Sequence, residues 1–94
     1  RTASAAVTVV VVRNAATVSF GATTFIPGTV DIDRGGTVTF ANDSGAAHDV
    51  DFGVSLLDIP VHTAGQSARS FAAPGIFPFH CNLHAGMTGV VFVH

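Results

Sequence analysis

Polar and apolar residues alternate in short runs along this chain, at a period of two. Thr37-Val38-Thr39-Phe40 is the cleanest case, with Val38 and Phe40 on the inward face. Val, Thr and Phe dominate such runs, and Gly, Pro, Asn and Asp interrupt them, so the pattern predicts strands and almost no helix. The predicted strands are Val7–Arg13, Thr17–Phe20, Thr24–Asp33, Thr37–Asn42, Asp49–Phe52, Ser67–Ala72, Gly75–Cys81 and Gly89–His94. Arg34-Gly35-Gly36 and Asn42-Asp43-Ser44-Gly45 read as turns between them. Gly53–Ala64 is the one long irregular segment, with Leu56, Leu57, Ile59 and Val61 folding it back onto the core. Seven or eight short strands at this spacing predict an all-β fold, an antiparallel Greek-key β-sandwich.

Size sharpens that picture. The chain has 94 residues, which gives one domain over 1–94, with Arg1–Ala6 read as a processed or linker segment. Hydrophobic residues make up 48% and charged residues 11%, which excludes a disordered chain. No apolar run reaches the roughly 18 residues of a membrane span. The net charge of −2 comes from Asp and Arg alone, and the arginines at 1, 13, 34 and 69 are scattered, which argues against nucleic acid as a partner. A single cysteine excludes an internal disulfide.

The candidate chemistry is concentrated in Phe79-His80-Cys81-Asn82-Leu83-His84-Ala85-Gly86-Met87. A thiol, an imidazole three residues on and a thioether three further form a soft, mixed donor set that selects copper. Structural zinc would call for a fourth strong ligand, usually more cysteine. If one strand ends at Cys81 and the next starts at Gly89, the loop folds its three donors around one point. A trigonal site needs a second imidazole, and His48, at a strand start after the turn Asn42–Ala47, is the candidate. His62 competes with it but reads as a surface turn residue. Each donor alone has an ordinary reading: Cys81 as a small buried hydrophobe, Met87 as core filler, His84 as a surface residue. Their joint spacing is what favours metal.

The Cys81-x₂-His84-x₂-Met87 spacing, the Asn42…His48…Val50 pattern, Phe79 and Gly89-Val90-Val91 make the chain similar to the cupredoxins, small type 1 blue copper proteins, in an amicyanin- or plastocyanin-like form. The resemblance covers about Thr24 to His94. It implies one copper ion per chain held by His48, Cys81, His84 and Met87, and one-electron transfer between redox partners that dock near His84. It also implies a monomer that is no enzyme, in a periplasmic or other extracytoplasmic compartment, with room for a membrane tether in a full-length protein. Two alternatives stand beside it: a copper carrier or storage module, and a copper enzyme domain with a second copper at His80. His80 should point away from Cys81, because successive strand residues face opposite sides.

Two positions depart from the family pattern. Asp49 stands where asparagine is usual after the upstream histidine, and Asn82 where serine or threonine follows the cysteine. The donor and acceptor roles should therefore be exchanged, with the Asn82 amide or a loop N–H donating to the Asp49 carboxylate. Leu83, in place of the usual proline, brings an N–H that is expected to point at the Cys81 sulfur.

Overall fold

The structure, a computed structural model, describes residues 13–54, 56 and 58–94. The expected strand Val7–Arg13, except Arg13 itself, lies outside the described residues, as do Arg1–Ala6 and Leu57. Nine strands follow in order: β1 (Ala15–Phe20), β2 (Phe25–Ile26), β3 (Thr29–Ile32), β4 (Gly36–Asn42), β5 (His48–Val50), β6 (Ile59–His62), β7 (Gly65–Phe71), β8 (Gly75–His80) and β9 (Thr88–Val93). Among the described residues no helix is long and apolar enough to cross a membrane.

The period-two pattern is realised most plainly in β4, where Gly36, Val38, Phe40 and Asn42 are buried and the residues between them are half-buried. One sheet has the order β2-β1-β4-β7, a second β3-β9-β8, and β5 pairs with β6. An isolated pair, Asp51 opposite His80, joins the β5–β6 ribbon to the second sheet through N–H···O bonds of 2.8 and 3.0 Å. Inward residues from all three groups, among them Val18, Phe40, Val50, Ile59, Phe71, Phe79 and Val91, share one core. Its centre is aromatic: Phe40 meets Phe79 edge-on at 5.2 Å and Phe52 at 5.4 Å, a favoured arrangement of ring quadrupoles.

The sandwich is mixed, not purely antiparallel. β1 runs parallel to β4 and β3 parallel to β9, while the other pairings are antiparallel. Side-chain alternation records which face of a strand is buried but not the direction of its neighbour, so the sequence pattern could not separate the two. The run Thr24–Asp33 divides at Pro27-Gly28 into β2 and β3, which serve different sheets. β6 falls in the segment read as irregular; its Pro60 occupies a short two-stranded ribbon where a missing N–H is tolerated. Leu56 and Ile59 pack on the core as expected, whereas Val61 is 56% exposed.

Candidate metal centre

Three strands and one loop bring the donors together. His48 opens β5 and is fully buried; Cys81 directly follows β8; Met87 directly precedes β9. β8 and β9 pair from Gly75↔Val93 to His80↔Thr88, so the segment between them returns as a tight loop. The Cys81 N–H donates to the Met87 carbonyl at 2.9 Å, and the Met87 N–H to the His84 carbonyl at 3.2 Å. Gly86, at φ +79°, supplies the positive dihedral that this last turn requires.

The His48 Nδ1 lies 3.8 Å from the Cys81 Sγ, and the His84 Nδ1 lies 3.7 Å from it on another side. The three donor atoms sit within 4.8 Å of one another. Metal–nitrogen bonds of about 2.0 Å and a metal–thiolate bond of about 2.3 Å, opened to about 120°, would set sulfur and nitrogen roughly 3.7 Å apart. The observed spacing therefore fits one ion between them. Cys81 and Met87 are buried and His84 is half-buried, so one imidazole edge reaches the surface. Burial pushes the His48 imidazole below its usual pKa, the neighbouring His84 adds to this, and the Gly21 backbone opposes it. A neutral imidazole is the form that donates to a metal.

Packing holds these donors before any metal arrives. Phe20 meets the His48 ring edge-on at 5.6 Å. Asn42, which ends the predicted strand Thr37–Asn42 and opens the Asn42…His48…Val50 pattern, is buried and fully hydrogen-bonded. Its Nδ2 donates to the carbonyls of Ala46 and His62, both at 2.9 Å, and its Oδ1 accepts from the Ser44 N–H at 3.2 Å and hydroxyl at 2.7 Å. It thereby pins the loop that delivers His48. A polar residue at an inward position of β4 was the signal that could have marked it.

The exchange between Asp49 and Asn82 is present. The Asn82 N–H donates to Asp49 Oδ1 at 2.7 Å, and its Nδ2 donates to Asp49 Oδ2 at 2.8 Å and to Asp51 Oδ2 at 3.0 Å. Burial pulls the Asp49 carboxyl up, but the Asn82 side-chain and backbone donors outweigh it and leave the group below the usual carboxylate range. The Leu83 expectation is not met: among the described residues, the groups that reach the Cys81 thiol are the two imidazoles and the Asp49 carboxylate. His80 is exposed, with Nε2 3.0 Å from Asn82 Oδ1 and 3.6 Å from Asp51 Oδ2. His62 lies in β6 rather than in a turn, and its Nδ1–H donates to the Pro60 carbonyl at 2.9 Å.

No protein-family model matches the chain. It is 33% identical over 109 residues to the chloroplastic plastocyanin of Physcomitrium patens, covering 97% of this chain and 65% of that protein's length. Among solved structures, the Cu(I) form of an amicyanin variant is 28% identical with a TM-score of 0.76, over 89% of this chain and 86% of that one. A second reduced amicyanin variant gives 26% and 0.77 over the same shares. The Cu-containing nitrite reductase of Thermus scotoductus SA-01 shares the fold, with a TM-score of 0.75 at 23% identity, over 83% of this chain and 22% of that one. Copper is the metal that both the soft donor set and these likenesses assign to the site. Fold, donors and relatives converge: the chain is similar in sequence to a plastocyanin and in fold to the amicyanins, a likeness that supports a cupredoxin-like blue copper protein.

Proposed function

We propose that the protein is a one-electron carrier built on a single type 1 copper, which His48, Cys81 and His84 would hold most strongly and the Met87 thioether more weakly. The observation that carries this reading is the convergence of two Nδ1 atoms on one buried thiol at 3.7 and 3.8 Å. Copper in such a site supplies a Cu(I)/Cu(II) couple. The chain's part is to keep its donors still. His48 is braced by Phe20, and Cys81 and Met87 are tied to each other through their backbones, so the donor positions are set by the fold rather than by the oxidation state.

The half-buried His84 is the exit ligand, and Leu83, Ala85 and Gly86, all exposed, form an apolar rim for brief contact with a redox protein. The protein works as a monomer in an extracytoplasmic compartment, periplasmic if the source is bacterial. A carrier or storage module would release copper readily, and a slow off-rate in both oxidation states separates the two readings. A second copper at His80 is disfavoured because that imidazole is already engaged by Asn82 and Asp51.

The test is the visible and electron paramagnetic resonance spectra of Cu(II)-loaded protein, with metal analysis. One copper per chain and an intense blue thiolate band that Cys81→Ser abolishes are expected. A colourless protein overturns the proposal.

A further inference from the structure

The Asp49–Asn82 contact places a charge as well as a clamp. Asp49 directly follows His48 and Asn82 directly follows Cys81, so the contact joins the residues next to two donors that are 33 positions apart. Both Asp49 oxygens accept N–H groups of Asn82, at 2.7 and 2.8 Å, an arrangement that suits an ionised carboxylate. Those donors are neutral. The neighbouring Asp51 carboxylate, by contrast, has the His80 imidazole 3.6 Å away. Asp49 is also half-buried, which limits the screening of its charge by salt.

We propose that Asp49, held by Asn82 beside the donor set, is a positioning residue whose fixed negative charge biases the centre toward its oxidised state. The inference rests on the electron-carrier reading. Cu(II) carries one more positive charge than Cu(I), so a nearby anion favours it by simple attraction and lowers the reduction potential. A neutral asparagine in that place would make the same kind of contact without the bias.

The experiment measures the potential of copper-loaded wild type, Asp49→Asn, Asn82→Ala and Asp43→Asn at low and high salt. Asp43 is exposed and serves as a surface-charge control. Asp49→Asn is expected to weaken the preference for Cu(II) over Cu(I) roughly tenfold, a rise of about 59 mV for one electron, and the rise should survive high salt. Asp43→Asn should give a smaller shift that salt removes. Asn82→Ala, which keeps the charge but loses the side-chain clamp, should shift the potential less than Asp49→Asn and speed copper loss. An Asp49→Asn potential no higher than that of the Asp43→Asn control overturns the proposal, as does an equal rise in Asn82→Ala, which would make loosening the cause. A readout independent of copper is hydrogen exchange in the metal-free protein: the Asn82 amide should be protected, and an unprotected amide also overturns the clamp. A wild type without the blue band defeats the carrier reading itself, whereas a blue wild type with an unshifted Asp49→Asn defeats this inference alone.

Discussion

His62 stands directly opposite His48 in the β5–β6 ribbon, yet only His48 turns its Nδ1 to the Cys81 sulfur. The His62 Nδ1 is committed to the Pro60 carbonyl of its own strand. The two imidazoles are thus cross-strand partners with different tasks. His48→Ala should abolish the blue spectrum, and His62→Ala should keep it. Copper titrations followed in the visible region check both, and the opposite outcome would exchange the two assignments.

Met87 is buried, and its backbone carbonyl, which any residue can supply, accepts the Cys81 N–H. Met87→Ala should therefore retain copper and the thiolate band while changing the potential, because a weak axial thioether tunes a site more than it holds it. Loss of all copper on dialysis of this variant would show that the thioether is a principal ligand.

Gly89 faces Phe79 across the β8–β9 pair, and a Cβ there would collide with the Phe79 ring. Phe79 is a centre of the aromatic core and lies two residues before Cys81. Gly89→Ala should cost about 1–3 kcal/mol, the usual range for overpacking a core. Urea unfolding of the metal-free protein measures it, and a change within about 0.5 kcal/mol would mean that the ring moves aside freely.

Asn42→Ala should cost roughly 2–3 kcal/mol, because it strips donors from the Ala46 and His62 carbonyls at a buried site. Since this side chain also fixes the loop before His48, copper should leave the variant faster. Unchanged stability together with an unchanged copper off-rate would remove Asn42 from the support of the site.

Asp33 accepts the Arg13 backbone N–H at 2.8 Å and faces its guanidinium at 3.2 Å. The backbone bond leads in holding its carboxyl below the usual carboxylate range; burial opposes it, and the guanidinium adds to the lowering. A depressed carboxylate stabilises the fold at pH values above its unfolded pKa, and that contribution fades as pH falls through the lower folded value. Stability should therefore decline as pH falls below about 4, and Asp33→Asn should lessen the decline. Urea midpoints compared between mildly acidic and strongly acidic pH test this; parallel curves for wild type and variant would exclude the effect.

Much of the site was legible because it is local. Cys81, His84 and Met87 lie on one loop, and a single turn and two backbone bonds bring them together, so their spacing along the chain is nearly their spacing in space. His48 is distant in sequence, and its place beside the loop depends on topology: the residue after β5, Asp51, pairs with His80 at the end of β8. What escaped was relational. Neither the parallel β1–β4 and β3–β9 pairings nor the strand around Pro60 leaves a mark in hydropathy, because each depends on a distant partner. The Asp49–Asn82 exchange was readable because both residues depart from the family pattern together, whereas the Leu83 N–H depended on a loop angle that no residue type fixes.

Among the described residues, the backbone hydrogen bonds that link the β5–β6 ribbon to the second sheet are those of the isolated Asp51–His80 pair, with the Asn82 contacts beside it. The ribbon is anchored to the core through Val50 and Ile59 and to β4 through the Asn42–His62 bond, but its sparse link to the second sheet can open before the sandwich unfolds, and the opening carries His48 away from the loop that holds the other donors. Metal retention would then be governed by the free energy of this partial opening, not by global stability. Variants that weaken the link should release copper quickly while keeping their melting temperature. In the metal-free protein, the amides of Val50 and Asp51 should exchange faster than those of the β4 centre.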